Sequence, residues 1–356
     1  MDTAYKDKLT KIVTAAAAAP SGDNSQPWRF VFRAPDMLEF HALPDRDNAL
    51  LNVDDSGTFI ALGAAIQNAE LEAKALGFNP EIRYGAPDSL TATFVLHGGG
   101  ELRGAEQELR RAIPLRHTNR KAYKKIPLAE DDRRALAEAA GETEGASLTL
   151  VENREAMSRI SRALTTMEEI ALQNKTLHKI FFESIFWSEE RNAAGGHGLF
   201  IKTLELPPPA RLLFKVLPYW PVASLLAKIG FPRMVALTNA RQNASASAFG
   251  VITIDHFDRR NYIEAGRLLE RVWLAAAARG MSLQIVTGLL FLSRALEHNS
   301  SNMFSAQERA SVRHASARIR ETLGSEDEPF LTFRVGRAAP PSAVSSRVQP
   351  VIIEAS

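Results

Sequence analysis

The chain has 356 residues, 45% hydrophobic and 24% charged, ordinary values for a globular protein with a large core. A formal net charge of +2 gives no global pull toward nucleic acid or an anionic membrane. The lack of cysteine excludes disulfides, thiolate catalysis and cysteine-ligated metal, and the scattered histidines form no His-Glu-x-x-His pattern, so no metal site is expected.

The chain never reaches the roughly 18 uninterrupted apolar residues of a membrane-spanning helix. Lys6, Lys8 and Lys11 ahead of a run of alanines give only a faint echo of a signal peptide, so a cytoplasmic protein is expected. Ile12 to Ala19 reads as helix, stopped by Pro20. The loop that follows, Pro20-Ser21-Gly22-Asp23-Asn24-Ser25-Gln26-Pro27-Trp28, is small and turn-forming. Its amides and its Ser, Asn and Gln side chains can face one ligand, and Asn24 and Gln26 each donate and accept, which suits a planar heterocycle. Turns of this composition are also common without a function. Trp28 to Phe32 alternates as a strand and Leu38 to Ala42 as its partner. A helical pattern from about Asp55 to Leu76 stops at Gly77, and Pro80–Tyr84 and Thr91–Leu96 read as strands. Gly98-Gly99-Gly100 marks a junction.

Arg116-His117-Thr118-Asn119-Arg120 supplies two guanidiniums and a hydroxyl, a donor set suited to a dianion. By itself, Arg-x-x-x-Arg reads better as a basic solvated turn. A helix from about Ala129 to Ala140, a strand from Ser147 to Val151 and a helix near Arg154 to Leu172 follow. Residues 181–241 are rich in Phe, Trp, Pro and Leu, helical pieces broken by prolines that suit a cover over a site or a packing surface. Lys215, Lys228 and Arg233 accompany them, so peripheral membrane contact is a lesser reading. Ala248–Ile254 is a strand, Ser282 to Gly288 a strand with a glycine turn, Ser305–Leu323 a helix and Phe330–Gly336 a closing strand.

An internal repeat is legible. Gly63 to Gly77 lies over Gly266 to Gly280 without a gap, matching both glycines, Leu71 with Leu274 and Ala73 with Ala276. Helices of small residues closed by glycine also recur by chance; the alternative is two related halves.

The pattern P-S-x-x-N-x-Q-P-W between helix and strand resembles the flavin-contacting loop of the nitroreductase superfamily. The segment Arg116 to Tyr123 is similar to that family's arginine-rich phosphate segment, with Thr for Ser and Tyr for Phe. The arrangement resembles the Acg-type branch, in which two nitroreductase-like halves share one polypeptide. The resemblance implies an α+β fold: a nitroreductase-like fold duplicated in tandem, a pseudo-dimer of two mostly antiparallel sheets with surrounding helices and FMN at the interface. The flavin-loop half would span 1–100 and the phosphate-arginine half 101–356, with an apolar insert or lid at about 181–241. The loop occurs only in the first half and the arginine segment only in the second, so one composite FMN site per chain is expected. Its implied contacts are Pro20, Ser21, Gly22, Asn24, Gln26, Arg116, His117, Thr118, Arg120, Thr287, Gly288 and Arg347. The family's acidic neighbour of that last glycine is absent. The implied activity is hydride transfer from NADH or NADPH through FMN to a small acceptor, nitroaromatic or quinone-like. The flavin N5 carries that chemistry, so no catalytic side chain is expected. A flavin-sequestering protein with little turnover is the alternative. No nucleic-acid partner is expected, core or lid packing accounts for the insert's aromatics without a membrane, and the fused chain would act as a pseudo-dimer with further homodimerisation left open.

Overall fold

The structure, a computed structural model, describes residues 3–85, 89–298, 303–324 and 327–355. Helix α1 (Thr3–Ala17) leads through the Pro20 loop into strands β1 (Trp28–Arg33) and β2 (Met37–Ala42). Helix α2 (Ser56–Ala75) and strands β3 (Phe78–Tyr84) and β4 (Leu90–Gly98) complete a first unit. Next come α3 (Gly104–Ala112), α4 (Glu130–Ala140), β5 (Ala146–Val151), α5 (Arg154–Leu164), α6 (Thr166–Gln173) and α7 (Lys175–Glu183). A strap follows, made of β6 (Ile185–Phe186), α8 (Glu189–Ala193), β7 (Leu199–Phe200) and the short turn Ile201–Leu204. Three helices succeed it: α9 (Pro208–Val216), α10 (Trp220–Lys228) and α11 (Phe231–Asn243). The chain closes with β8 (Ala248–Ile254), α12 (Arg259–Ala278), β9 (Ser282–Ile285), α13 (Gly288–Glu297), α14 (Ala306–Leu323), β10 (Pro329–Gly336) and β11 (Ile352–Ala355).

This is an α+β fold. One sheet has the order β11-β1-β2-β4-β3 and the other β5-β8-β10-β9. Setting β11 aside, the two sheets share one plan. In each, a strand pairs antiparallel with a second, a long helix follows, and the next two strands return antiparallel to the second strand's free side. Phe30 and Phe40 face each other across β1 and β2 and are both buried, with their rings 5.5 Å apart edge to face. Strand β11 is the exception to the sequence reading, which expects a tail there. It lies parallel to β1, with Phe30 opposite Ile352, so the C-terminal end of the chain completes the first sheet.

The long helices α2 and α12 cross at the centre. Both are buried along most of their length; α2 is apolar on nearly every side, whereas α12 also carries Glu264, Arg267, Glu270 and Arg271, charged groups held by partners. The approach is reciprocal and needs glycine. A Cβ on Gly63 would lie 2.1 Å from the Ile263 carbonyl oxygen, and one on Gly266 would lie 2.1 Å from the Ile60 carbonyl oxygen. These are the glycines that the internal alignment superposes.

Other expectations need adjusting. Helix α1 begins well before Ile12, and the helix expected from Arg154 to Leu172 breaks at Thr165 into α5 and α6. Gly288 does not end a turn but opens helix α13, and α3 and α13 fall where the sequence reading has no element.

Candidate functional site

Pro20 ends α1, and the loop after it is held in an unusual backbone shape. Asp23, Asn24 and Gln26 take positive φ of 45°, 58° and 51°. Asp and Asn tolerate the left-handed region best; three such residues in four positions persist only where the surroundings fix them. Much of the fixing is local. Ser21 Oγ accepts from the Gln26 amide at 2.9 Å, and Arg46 Nη1 donates to the Gln26 carbonyl at 2.9 Å.

The Arg116–Arg120 segment is pinned from the other sheet. Thr118 bridges Leu283 of β9, the Asn119 amide donates to the Leu283 carbonyl at 3.1 Å, and Asn119 Nδ2 donates to Ser282 Oγ at 3.0 Å. Tyr123 Oη donates to the Asn119 carbonyl at 2.9 Å. Thus β9 serves the site as a support for the arginine segment.

The two segments and the C-terminal tail meet around one cavity of about 180 Å³. Its walls include Pro20, Ser21, Asn24, Arg116, His117, Thr118, Arg120 and Arg347, together with Asp23. Arg116 is 4% exposed; its Nη2 donates to the Ala18 carbonyl at 2.8 Å and its guanidinium stacks 4.5 Å above the Trp273 ring. Arg347 Nη2 donates to the Ala19 carbonyl at 3.1 Å and its Nη1 to Asn24 Oδ1. Three guanidiniums share this small space. Burial, and the Arg116 charge after it, bring Arg347 down to about 9. Burial, then Arg116 and Arg347, also hold His117 below its ordinary range, so its imidazole stays neutral near pH 7.

One partner carboxylate is fully buried. Glu270 of α12 sits 3.2 Å from Arg116 Nε, yet neither of its oxygens, nor Arg116 Nε, has a hydrogen bond of good geometry. Burial pushes Glu270 up to about 7 against the opposing pull of Arg116. Arg347 Nε likewise lacks an acceptor. Three arginines against one acid, Asp23, in the walls of the cavity give an excess of positive charge that fits a small dianion such as a phosphate group.

The strap closes the cavity. Leu199 and Thr203 line it, and Arg120 Nη1 donates to the Thr203 carbonyl at 3.2 Å. Asn24 Nδ2 donates to the Gly196 carbonyl at 3.1 Å and to Ser346 O at 3.2 Å. His197 Nδ1 donates to the Ser25 carbonyl at 2.8 Å. Gly195, at φ +75°, touches the tail where any Cβ would lie 2.3 Å from the Arg347 carbonyl.

Four of the residues expected at the site lie otherwise. The Gln26 side chain faces inward, its Oε1 accepting from the Val348 amide at 2.8 Å. Gly22 is exposed, near Asp47. The Thr287 hydroxyl donates to the Thr332 carbonyl and accepts from the Thr332 amide, both at 3.0 Å, and Gly288 packs on Met167; neither lines the cavity. Sequence reasoning missed Glu270 and Trp273. A glutamate set among Leu268, Leu269, Val272 and Trp273 in a buried helix was the available signal.

No protein-family model matches the chain. Over 94% of its length it is 28% identical to an uncharacterized protein of Mycobacterium tuberculosis, and it spans 46%, under half, of that relative's length. Over 86% of its length it is 25% identical to a putative NAD(P)H nitroreductase of M. tuberculosis, covering 84% of that protein. Solved structures similar to it include the FMN-dependent nitroreductase of Mycobacterium smegmatis in complex with NADPH, at 17% identity and TM-score 0.36, covering 66% of this chain and 89% of that one. A nitroreductase with bound FMN from Bacteroides fragilis shares 13% identity at TM-score 0.37, covering 67% of this chain and 93% of that one. The loop and arginine motifs, together with the putative nitroreductase relative, relate the chain to the nitroreductase superfamily.

Proposed function

We propose that this chain is an FMN-dependent oxidoreductase, with one flavin site per chain assembled from two nitroreductase-like halves of tandem origin. The observation that carries the reading is the convergence of Arg116, Arg120 and Arg347 with Thr118 on a cavity walled by the Pro20–Asn24 loop. The shared plan of the two sheets and the reciprocal approach of Gly63 and Gly266 support the tandem origin, with halves at 1–100 and 101–356. Bound FMN supplies hydride exchange between NADH or NADPH and a small nitroaromatic or quinone-like acceptor. Arg116, Arg120 and Arg347 neutralise its phosphate, and Thr118 adds a hydroxyl donor. Neutral His117 adds no further charge to a crowded cationic site. Trp273 and Glu270 hold the Arg116 guanidinium in place.

The ring end needs more room. Pockets for ligands of drug size run to roughly 300–1,000 Å³, and the cavity is about 180 Å³. The polar groups of Asn24 and Gln26 are engaged by the strap and the tail. The cavity as drawn therefore fits the phosphate end, and full occupancy requires the strap at 192–204 to move outward. That closure favours the second reading, a protein that stores flavin under a cover and turns over little.

The test is an absorbance spectrum of the purified protein, followed by anaerobic NADH or NADPH. Flavin bands that bleach with nicotinamide support the enzyme; bands that bleach only with dithionite support storage. Absence of flavin after reconstitution overturns both. Replacing Arg116 or Arg347 with Ala removes a charge-assisted contact of about 1.5–3 kcal/mol, so FMN affinity falls about tenfold or more. Unchanged affinity in both variants would remove the phosphate assignment.

A further inference from the structure

The segment after the strap carries a surface that the cavity does not explain. The large apolar residues of α7 and of the helices after the strap divide into two sets. Phe181, Phe182 and Phe214 pack together and Trp220 packs on His178, which is the internal packing the sequence favours. A second set has no cover. Leu212, Tyr219, Leu225 and Ile229 are 69%, 68%, 64% and 75% exposed, and Met234 and Leu237 are exposed nearby. Isolated exposed leucines are unremarkable, but here they concentrate in three short consecutive helices, α9 to α11.

Charge separates the candidate occupants. Although the chain contains 41 acidic residues, none falls between residues 206 and 254. Arg211, Lys215, Lys228, Arg233 and Arg241 do fall there, all exposed, and none is paired with a carboxylate among the described residues. Exposed cations and exposed apolar residues adjoin in the sequence of these helices: Arg211-Leu212, Lys215-Val216, Lys228-Ile229, Arg233-Met234. A second copy would set like charges against like and gain no carboxylate. A nucleic acid would satisfy the cations but leave Leu225 and Ile229 without a use. An anionic lipid surface satisfies both, because apolar side chains enter the acyl boundary while Lys and Arg reach the headgroups. No helix among the described residues is long and apolar enough to cross a bilayer, so the contact lies in the plane of the surface.

We infer that α9–α11 form a docking face for an anionic lipid bilayer, with Leu212, Leu225 and Ile229 inserting between headgroups bound by Lys215, Lys228 and Arg233. This surface lies outside the arginine-lined cavity and stands whether or not that cavity holds a flavin. Net charge conceals it, because the rest of the chain carries the compensating acids.

The experiment is co-sedimentation of the full chain with phosphatidylcholine vesicles carrying about one third phosphatidylglycerol, against phosphatidylcholine alone. Binding should be at least about tenfold tighter to the anionic vesicles and weaken as salt rises from 0.1 to roughly 0.5 M. Leu225→Glu with Ile229→Glu should lower that binding about tenfold or more with the melting temperature unchanged, since both positions are exposed. Lys215→Glu with Lys228→Glu should abolish the preference for the anionic lipid. Equal binding to both vesicles, or binding that survives the Leu225/Ile229 change, overturns the proposal. So does concentration-dependent self-association without lipid that the Leu225/Ile229 change removes, which would make the face an interface between copies.

Discussion

Glu270 is the residue on which the chemistry of the site turns most sharply. Its carboxyl is wholly buried, and burial raises it to about 7, far above the roughly 4.3 of a free glutamate. A folded-state value above the unfolded one gives stability that is complete at low pH and lost as pH rises through the folded value. The window therefore runs from about 4.3 to about 7. Glu270→Gln removes this titration while keeping the size of the side chain. The difference in melting temperature, wild type minus variant, should fall from pH 4.5 to about pH 7 and level off above it. Gln stands in for the protonated acid, and wild type at low pH likewise leaves Arg116 without a countercharge, so the slope is the readout. A flat difference would mean that Glu270 is ionised throughout, held by Arg116 alone.

Among residues, the sequence names the cavity well where recognition is local. Pro20, Ser21, Asn24, Arg116, Thr118 and Arg120 lie in two short segments whose donor types announce an anion, and all line the cavity. Arg347, suggested from a tail, lies there as well. What could not be read is where each side chain spends its hydrogen bonds. Gln26 has the right chemistry for a ligand edge, but the Val348 amide takes its oxygen, a partner more than three hundred positions away. Thr287 is consumed in the same way by Thr332 of β10. Such competition is set by tertiary approach, and no local pattern encodes it.

At the scale of elements, the strands were legible because β1, β2 and β8 carry apolar and β-branched residues between clear turns, and α2 because it ends at Gly77. Strand β11 was not, because four residues of a tail form a strand only when an existing edge offers them hydrogen bonds. Helix α13 was hidden by reading Gly288 as a stop. The crossing of α2 and α12 gives the sharpest test at this scale. Ala has a higher helix propensity than Gly by about 1 kcal/mol, so Gly63→Ala and Gly266→Ala would stabilise an isolated helix. Here a methyl at either position meets backbone oxygen at 2.1 Å. The clash outweighs propensity, and each substitution should destabilise by about 1–3 kcal/mol in denaturant unfolding. A gain in stability at both positions would show that the helices can separate freely. The strap offers a second test. Gly195→Val drives a side chain into the Arg347 carbonyl, so it should displace the strap and speed FMN exchange, with protease cleavage appearing near residues 192–204.

For the whole molecule, one question follows from two sheets of the same plan: whether the proposed flavin site would occur once per chain or twice. Under the proposed duplication, the counterpart of the Pro20 loop would be the segment from Ala139 to Ser147, most of which lines a more open cleft. That cleft presents Glu142 and Glu144 and no arginine, a charge that repels phosphate. The arginines of the cavity come from distant stretches, the segment after α3 and the tail that runs on to β11, and meet there against the loop before β1. Titration with FMN should therefore saturate at one flavin per chain whatever the oligomeric state, measured by quenching of flavin fluorescence. Arg116→Glu should bring that number toward zero, whereas Glu142→Gln with Glu144→Gln should leave it unchanged. Two equivalents per chain, with the second lost on changing the Gly141–Ser147 turn, would mean that the acidic cleft also binds flavin and that the halves have not diverged in function. A single equivalent lost with Arg116 would mean that each half keeps only part of the site, so that neither binds flavin alone.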